Sequence, residues 1–498
     1  MKIFTAEKIK EVDKLTTERQ HITSFELMEQ AALQAFLWLV HHFHDKKKVF
    51  HFFCGVGNNG GDGLAIARML KQNYYDVHVY VVPFSKKLSP DFESNLERLK
   101  ECNLKYEIIN EDADFPDIAE NNIVVDAIFG IGLSREMDEW IQQIVQKINY
   151  HQSFKVSIDI PSGLFLNRKT SIAIQSDVVL TFQIPKLSFY IPDNEQFINE
   201  IVILPIDLDE KAIDSIPTNY YYTDLNEIKK RYKPISKFSH KGTQGHVLLI
   251  GGCYGKIGAM VLASQAALRS GCGLATVYTP KCGYEILQTA SPEAMVITDE
   301  NFHKITKIAF DFEPKAIGIG MGIGQDYETV KAFHSFVNSN TIPLIIDADA
   351  LNILSEHEDW LKLLPKSSIL TPHPRELERL IGSWTDDFEK IEKVRAFAKE
   401  HHLVVLIKGA YTLIIDEKNV FVNSSGNQAL ATGGSGDVLS GMIASFRAQG
   451  YQAVDAALLG VYFHGRTADI AMNDMGYEAF IASDIIKYLG KVFLELKT

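Results

Sequence analysis

Three stretches of the chain concentrate groups that can do chemistry. The first is "ATGGSGD", residues 431 to 437. Glycines from Gly433 to Gly436 let the backbone aim several N–H groups at one point. A helix expected to start at Asp437 would add the partial positive charge of its N-terminus. Such a cradle suits a transferring phosphoryl group, and Asp437 at its edge would take a proton from an attacking hydroxyl. Spacing alone leaves equal room for Asp437 as a plain helix cap.

The second stretch is "HFFCGVGNNGGDGLAIARML". Gly55, Gly57 and Gly60 carry the G-x-G-x-x-G spacing of a dinucleotide-binding turn. Asn58, Asn59 and the anionic Asp62 stand where a pyrophosphate would lie. A redox coenzyme site also wants an acid at the end of its second strand. Asp76, the one acid at about that distance, precedes "VHVYVV" and so falls at the wrong end. The third feature is a set of hard oxygen donors at strand ends: the asparagines, Asp126 after "IVV" and Ser162 after "SIDIP". These suit a small cation, with loop capping and ordinary turn chemistry as the alternatives.

The elements that must position these groups alternate. Residues 5 to 43 read as two helices, the first with Thr5 as cap. Apolar strand-like runs then alternate with helical patterns, with helices expected from about Asp62, near 90 to 101 and near 136 to 149. Residues 208 to 244 interrupt the rhythm with a polar, proline-containing segment lacking a long apolar strand. A second alternating series follows, from "HVLLIGG" through "LVVLIKGA", with helices at 258 to 270, after "ATGGSGD" and after Gln452. The expectation is α/β: two three-layer αβα domains, 1–217 and 218–498, each built on a mostly parallel sheet.

Bulk properties narrow the function classes. At 498 residues the chain is too long for one ordinary core. Its net charge of −13 argues against a nucleic-acid or anionic-membrane partner. Five cysteines, with no C-x-x-C, read as free thiols in a reducing compartment. The charged N-terminus lacks the apolar core of a signal peptide, and no apolar run is long enough to span a bilayer. A cytoplasmic enzyme follows as the expectation.

"ATGGSGD" resembles the anion-hole signature of the ribokinase-like superfamily, with Ser435 in place of the usual alanine. Together with "DADALN", "LTPHPREL" and "KGAYT", it is similar to the ADP/ATP-dependent NAD(P)H-hydrate dehydratases over about residues 225 to 495. The resemblance implies Asp437 as catalytic base and a nucleotide lined by Lys408, Gly409, Ala410, Tyr411, Thr412 and Gly436. It implies hydrated dinucleotide at Ala259, Gly322, His373 and Asp437. From the residues alone, His373 between two prolines reads as a rigid surface turn, Lys408 as a solvated strand end, and Gly322 as a turn glycine.

"NNGGDG", "DAIFGIGLSRE" and "SIDIPSG" resemble the NAD(P)H-hydrate epimerase domain over about residues 1 to 215. That resemblance implies K+ at Asn59, Asp126 and Ser162. It implies substrate contacts at Asn58, Asn59, Gly60, Gly61 and Asp62, at Gly130, Ile131, Gly132, Leu133, Ser134, Arg135 and Glu136, and at Asp159. Asp159 is the candidate for proton transfer, and "GIGLSRE" reads as a strand-to-helix turn able to seat phosphate.

The fused pair is similar to the bifunctional NAD(P)H-hydrate repair enzymes, an isomerase joined to a lyase. Implied partners are the small molecules NADHX, NADPHX and ADP, with Mg2+ in the second half and a homo-oligomeric assembly. Two other readings compete. One is a vitamin-type kinase of the ribokinase superfamily fused to an accessory module. The other is a binding protein, against which the joint presence of "NNGGDG", Asp126 and Asp159 argues.

Overall fold

The computed structural model describes residues 1–497. The chain divides into two compact units, one formed by Lys2–Thr218 with Asp386–Phe388, the other by Met1, Asn219–Thr385 and the chain from Glu389 onward.

The first unit opens with helices Ala6–Gln20 and Ser24–His42. Thr5 occupies the N-cap of the first, but its hydroxyl accepts no helix amide. Thr23 caps the second through a capping box, its Oγ1 accepting from the Glu26 amide while Glu26 Oε2 accepts from the Thr23 amide. Seven strands follow: β1 (Val49–Cys54), β2 (Asp76–Val81), β3 (Tyr106–Ile108), β4 (Ile123–Ala127), β5 (Phe154–Ile158), β6 (Ser176–Phe182) and β7 (Ile198–Leu204). They form one parallel sheet in the order β3-β2-β1-β4-β5-β6-β7. Alternate residues of β1 enter opposite cores. Phe50, Phe52 and Cys54 pack with Leu39, Leu64 and Phe92, whereas Phe53 packs with Ile141 and Val145. Helices therefore cover both faces, and the apolar strand runs read from sequence are the consequence. The order reverses between β1 and β4, the place where a doubly wound sheet opens a crevice at its strand C-termini.

The second unit carries ten strands: β8 (Tyr220–Thr223), β9 (His246–Ile250), β10 (Leu274–Thr279), β11 (Met295–Thr298), β12 (Ala316–Ile319), β13 (Leu344–Ile346), β14 (Ile369–Leu370), β15 (Val404–Ile407), β16 (Leu413–Ile415) and β17 (Val420–Asn423). Their order is β11-β10-β9-β12-β13-β14-β15-β16-β17-β8, parallel except for the β15–β16 and β16–β17 pairs. Val247 and Leu249 face the helices that carry Met260, Met442 and Phe463, while Leu248 and Ile250 point the other way and are equally buried. The reversal here lies between β9 and β12.

Several expectations require correction. The polar segment 208 to 244 lacks a long apolar strand, as expected, but carries the short strand β8, which pairs in parallel with β17. "YYYT" was overlooked because it is short and a sheet edge needs only one partner. The helix expected from Asp62 begins at Asn58, and that expected from Asp437 begins at Ser435. The helix near 136 begins at Glu139, so residues 128 to 138 form a long loop and not a tight strand-to-helix turn. No helix among the described residues is long and apolar enough to cross a membrane.

Candidate functional site

In the second unit, the quoted motifs converge because each follows the C-terminal end of a strand. Asp347 follows β13, His373 follows β14 and Lys408 follows β15. Lys408 Nζ donates to Asp347 Oδ1 at 2.8 Å, and Ser440 Oγ donates to Asp347 Oδ2 at 2.7 Å. Next to Asp347, Ala348 adopts φ +52° and ψ −124°, a conformation that costs a residue with a Cβ about 1–3 kcal/mol. Asp349 then ties two loops together, accepting from the Gly324 amide at 2.9 Å and pairing with Lys256 Nζ at 3.2 Å. Gly322 faces the same loop, since a Cβ on it would lie 3.0 Å from Lys256 Cβ and 3.5 Å from that of Ala259.

The glycine turn meets this group from the other side. Gly434 is the N-cap of helix Ser435–Ala448 with φ +88°, and a side chain there would strike Leu262 at 2.5 Å. Ser435 and Gly436 are already helical, so the expected turn is half turn and half helix. Val438 N–H pairs with Gly434 C=O, leaving the Gly436 and Asp437 amides free at the helix start. A Cβ on Gly436 would lie 3.4 Å from Lys408 Nζ and 3.6 Å from Asp347 Oδ2, so those amides open beside the ion pair.

Asp437 is the third helical residue and not the N-cap, which removes the plain capping role. Its carboxyl makes no hydrogen bond or ion pair among the described residues. Burial first, and then the charge of Asp347, push it up to about 6, with Lys408 pulling the other way. Behind the turn, Ser435 Oγ and its carbonyl lie 3.0 and 3.1 Å from Nε2 of the buried His464. Burial lowers that imidazole to about 4, so it is neutral near pH 7.

Among the nucleotide candidates, Gly409 and Ala410 are exposed, while Tyr411 and Thr412 are partly buried. His373 caps helix Pro374–Ile381: its Nδ1 accepts from the Arg375 and Glu376 amides, and Nε2 lies 3.3 Å from Glu376 Oε1. Its ring is thus half engaged by its own helix. Asp347, Ser440 and Glu376 were not singled out from sequence, although "DADALN" was quoted and could have drawn attention to Asp347.

In the first unit a cavity of about 830 Å³ opens at the β1–β4 crevice, a size suited to a small-molecule ligand. Asn58, Asn59, Asp62, Asp159 and the whole loop from Gly130 to Glu136 line it. Gly60 and Gly61 do not line it; they serve packing. A Cβ on Gly60 would lie 1.8 Å from the Gly55 carbonyl oxygen, so only glycine lets the helix start press onto the strand end. Asp76 is the exposed first residue of β2, remote from the strand C-termini.

The oxygen donors gather as a set. Asp126 is fully buried and accepts from Ser162 Oγ at 2.5 Å, the Ser162 amide at 2.8 Å and Ser157 Oγ at 2.7 Å. Burial raises its carboxyl above the usual range, against those hydrogen bonds. Asn59 Nδ2 donates to the Phe129 carbonyl at 2.8 Å, while its Oδ1 is buried without a partner. A buried carboxylate without a paired cation and an orphaned carbonyl oxygen are what a monovalent cation would satisfy. Asp159, with φ +61°, pairs with Lys186 Nζ at 2.5 Å. Lys186 and Asp13, which also line the cavity, were missed from sequence because nothing near them in the chain marks them out.

Comparison with known proteins agrees over both units. Residues 247–491 match the family described as NAD(P)H-hydrate dehydratase, and residues 24–188 match that described as YjeF-related protein N-terminus. The chain is 33% identical to a bifunctional NAD(P)H-hydrate repair enzyme of Dictyoglomus turgidum, covering 98% of each protein. It is 31% identical to one of Moorella thermoacetica over 100% of this chain and 97% of that protein. Among solved structures, the ADP/ATP-dependent NAD(P)H-hydrate dehydratase from Bacillus subtilis, co-crystallized with ATP/Mg2+, is 28% identical. It covers 56% of this chain and 100% of that one, with a TM-score of 0.48.

Proposed function

Since the chain belongs to the family of bifunctional NAD(P)H-hydrate repair enzymes, we propose that its two units divide that repair between them. The protein epimerises the R and S forms of hydrated NAD(P)H and dehydrates the S form back to NAD(P)H. The epimerase site is the cavity of the first unit and the dehydratase site is the cluster of Asp437, Asp347 and Lys408 in the second.

The observation that carries the dehydratase assignment is Asp437: an unpartnered carboxyl near 6, beside free helix amides and an ammonium. Asp437 takes the proton from the hydroxyl on ring carbon six. The oxygen attacks the terminal phosphorus of ADP, the bond to AMP breaks, and AMP leaves. The amides of Gly436 and Asp437 and the Lys408 ammonium stabilise the charge on the transferring group. The ring nitrogen lone pair then expels phosphate from carbon six. Loss of a proton from carbon five restores the double bond. Esterification matters because hydroxide is a poor leaving group, the pKa of water being about 15.7 against about 6 for the second ionisation of a phosphate ester.

A positioned base and donor serve one hand at carbon six, so the first unit supplies that hand from the other. Asn59, Asp126 and Ser162 are the residues that would hold K+, and Asn59 Oδ1 without a partner supports the fit. The cation would supply charge balance for the buried Asp126 and for an anionic dinucleotide. No group of three His, Cys, Asp or Glu able to hold a metal occurs among the described residues, so Mg2+ would enter with the nucleotide phosphates.

The test is incubation of mixed R and S hydrates with ADP, or with ATP, following recovery of the reduced ring's absorbance at about 340 nm. Complete recovery supports both activities. Recovery that stops at the S fraction removes the epimerase, and accumulation of a stable phosphorylated product favours the kinase reading.

A further inference from the structure

The cavity of the first unit holds carboxylates in contrasting surroundings. Asp159 Oδ1 accepts from Lys186 Nζ at 2.5 Å, the Phe182 amide at 3.2 Å and Thr181 Oγ1 at 3.3 Å. Lys186 is 1% exposed and also donates to Thr181 Oγ1 at 2.6 Å. The Lys186 ammonium is thus already engaged by the Asp159 carboxylate. Asp159 is therefore committed to this ion pair, with its backbone at φ +61° where it lines the cavity.

Asp13 lines the same cavity from the middle of helix Ala6–Gln20. Its carboxyl makes no hydrogen bond or ion pair among the described residues. The charges acting on it are those of Asp159 and Lys186, which line the same cavity. Burial, then Asp159, push it up to about 6, so both of its protonation states are within reach near neutral pH. Asp62, another acid of the cavity, is buried, and burial first, then Asp159, Asp13 and Asp91, raise its carboxyl well above the usual range.

We infer that Asp13 is the proton-transferring residue of the epimerase site, and that the Lys186–Asp159 pair is a fixed electrostatic wall opposite it. The inference rests on the epimerase reading of this cavity and departs from the expectation that Asp159 moves the proton. Asp13 in its acid form gives its proton to the hydroxyl on ring carbon six. The carbon–oxygen bond breaks with its electron pair, and water leaves. The ring nitrogen lone pair closes onto carbon six as an iminium, whose positive charge the Asp159 carboxylate faces. Water then adds to the opposite side of carbon six, its surplus proton passes to solvent, and solvent reprotonates Asp13. No oxidant or reductant is needed, and the enzyme ends as it began.

The test uses the full chain carrying Asp13→Asn and Asp13→Glu, with purified R hydrate and no nucleotide, following the R-to-S ratio. Expected for Asp13→Asn is a fall in kcat of a hundredfold or more, with calorimetric binding of the R form within threefold of wild type. Dehydration of the S form with ADP should be unchanged, and Asp13→Glu should recover part of the rate. Inversion in H2(18)O should place solvent oxygen on carbon six. Wild-type inversion by Asp13→Asn, loss of R-form binding along with rate, or inversion without labelled oxygen overturns the proposal. A wild-type protein that fails to invert R hydrate at all overturns the epimerase reading itself.

Discussion

Lys408 and Asp347, 61 residues apart in the chain, meet as an ion pair with Nζ 2.8 Å from Oδ1. Both flank Asp437 and act on it in opposite directions, the carboxylate raising and the ammonium lowering its tendency to hold a proton. The pair thus sets the electrostatic environment of Asp437.

That relationship predicts two displacements of opposite sign. In the free enzyme, kcat/KM for dehydration should rise with pH through about 6, where Asp437 becomes a carboxylate able to accept a proton. Asp347→Asn removes the anion and should move this limb to lower pH. Lys408→Met removes the cation and should move it higher, while costing about 3 kcal/mol by leaving the buried Asp347 unpaired. A pH–rate profile of each variant decides, and limbs that stay put would separate the pair from Asp437.

Asp437→Asn should stop dehydration, with a loss on the order of 10²–10⁴ in kcat, and leave epimerisation intact. The same change should stabilise the fold. The folded-state carboxyl titrates near 6, above its unfolded value, so its ionised form costs stability above that pH. Asparagine carries no charge, and the gain should be about 1–2 kcal/mol at pH 8, shrinking as pH falls from 6 towards 4. Urea unfolding at pH 8 and pH 4.5 measures it.

Potassium should stabilise the first unit. At a hundredfold excess over Kd the gain is about 2.7 kcal/mol, read as a rise in Tm in KCl over choline chloride at equal ionic strength. Asn59→Ala removes the orphaned buried oxygen and should abolish the difference between the two salts. A potassium effect that survives in this variant would place the ion elsewhere.

Gly60→Ala should be severely destabilising, by about 3 kcal/mol or more, because its Cβ would fall 1.8 Å from the Gly55 carbonyl oxygen. Gly132→Ala, with no heavy atom within 4 Å of its Cβ, should leave stability unchanged. Denaturant midpoints of the two variants, compared side by side, test whether the first helix start is pressed onto the strand end as described.

Much of this protein was legible in its residues taken in order. Apolar runs of strand length, separated by helical patterns, already specify two α/β units, because a strand buried on both faces has to be apolar throughout. The glycine-rich turn before Asp437 marks a helix start with converging amides, and "NNGGDG" marks a cluster of oxygen donors at a strand end. Helix boundaries were less legible. Glycine and asparagine read as turn residues, yet Asn58, Asn59 and Gly436 already belong to helices.

The sequence by itself determined which elements form and where the chemistry-bearing side chains lie along them. Only the tertiary structure decided which of those side chains face one another. Lys186 reaches Asp159 across 27 residues, and Asp13 shares a cavity with both of them. The Asp437 carboxyl is pushed up to about 6 by burial and by Asp347, which is far from it in the chain. The physical reason is that desolvation and Coulomb interaction depend on distance through space and on the exclusion of water, and neither is written in the spacing of residues along a chain.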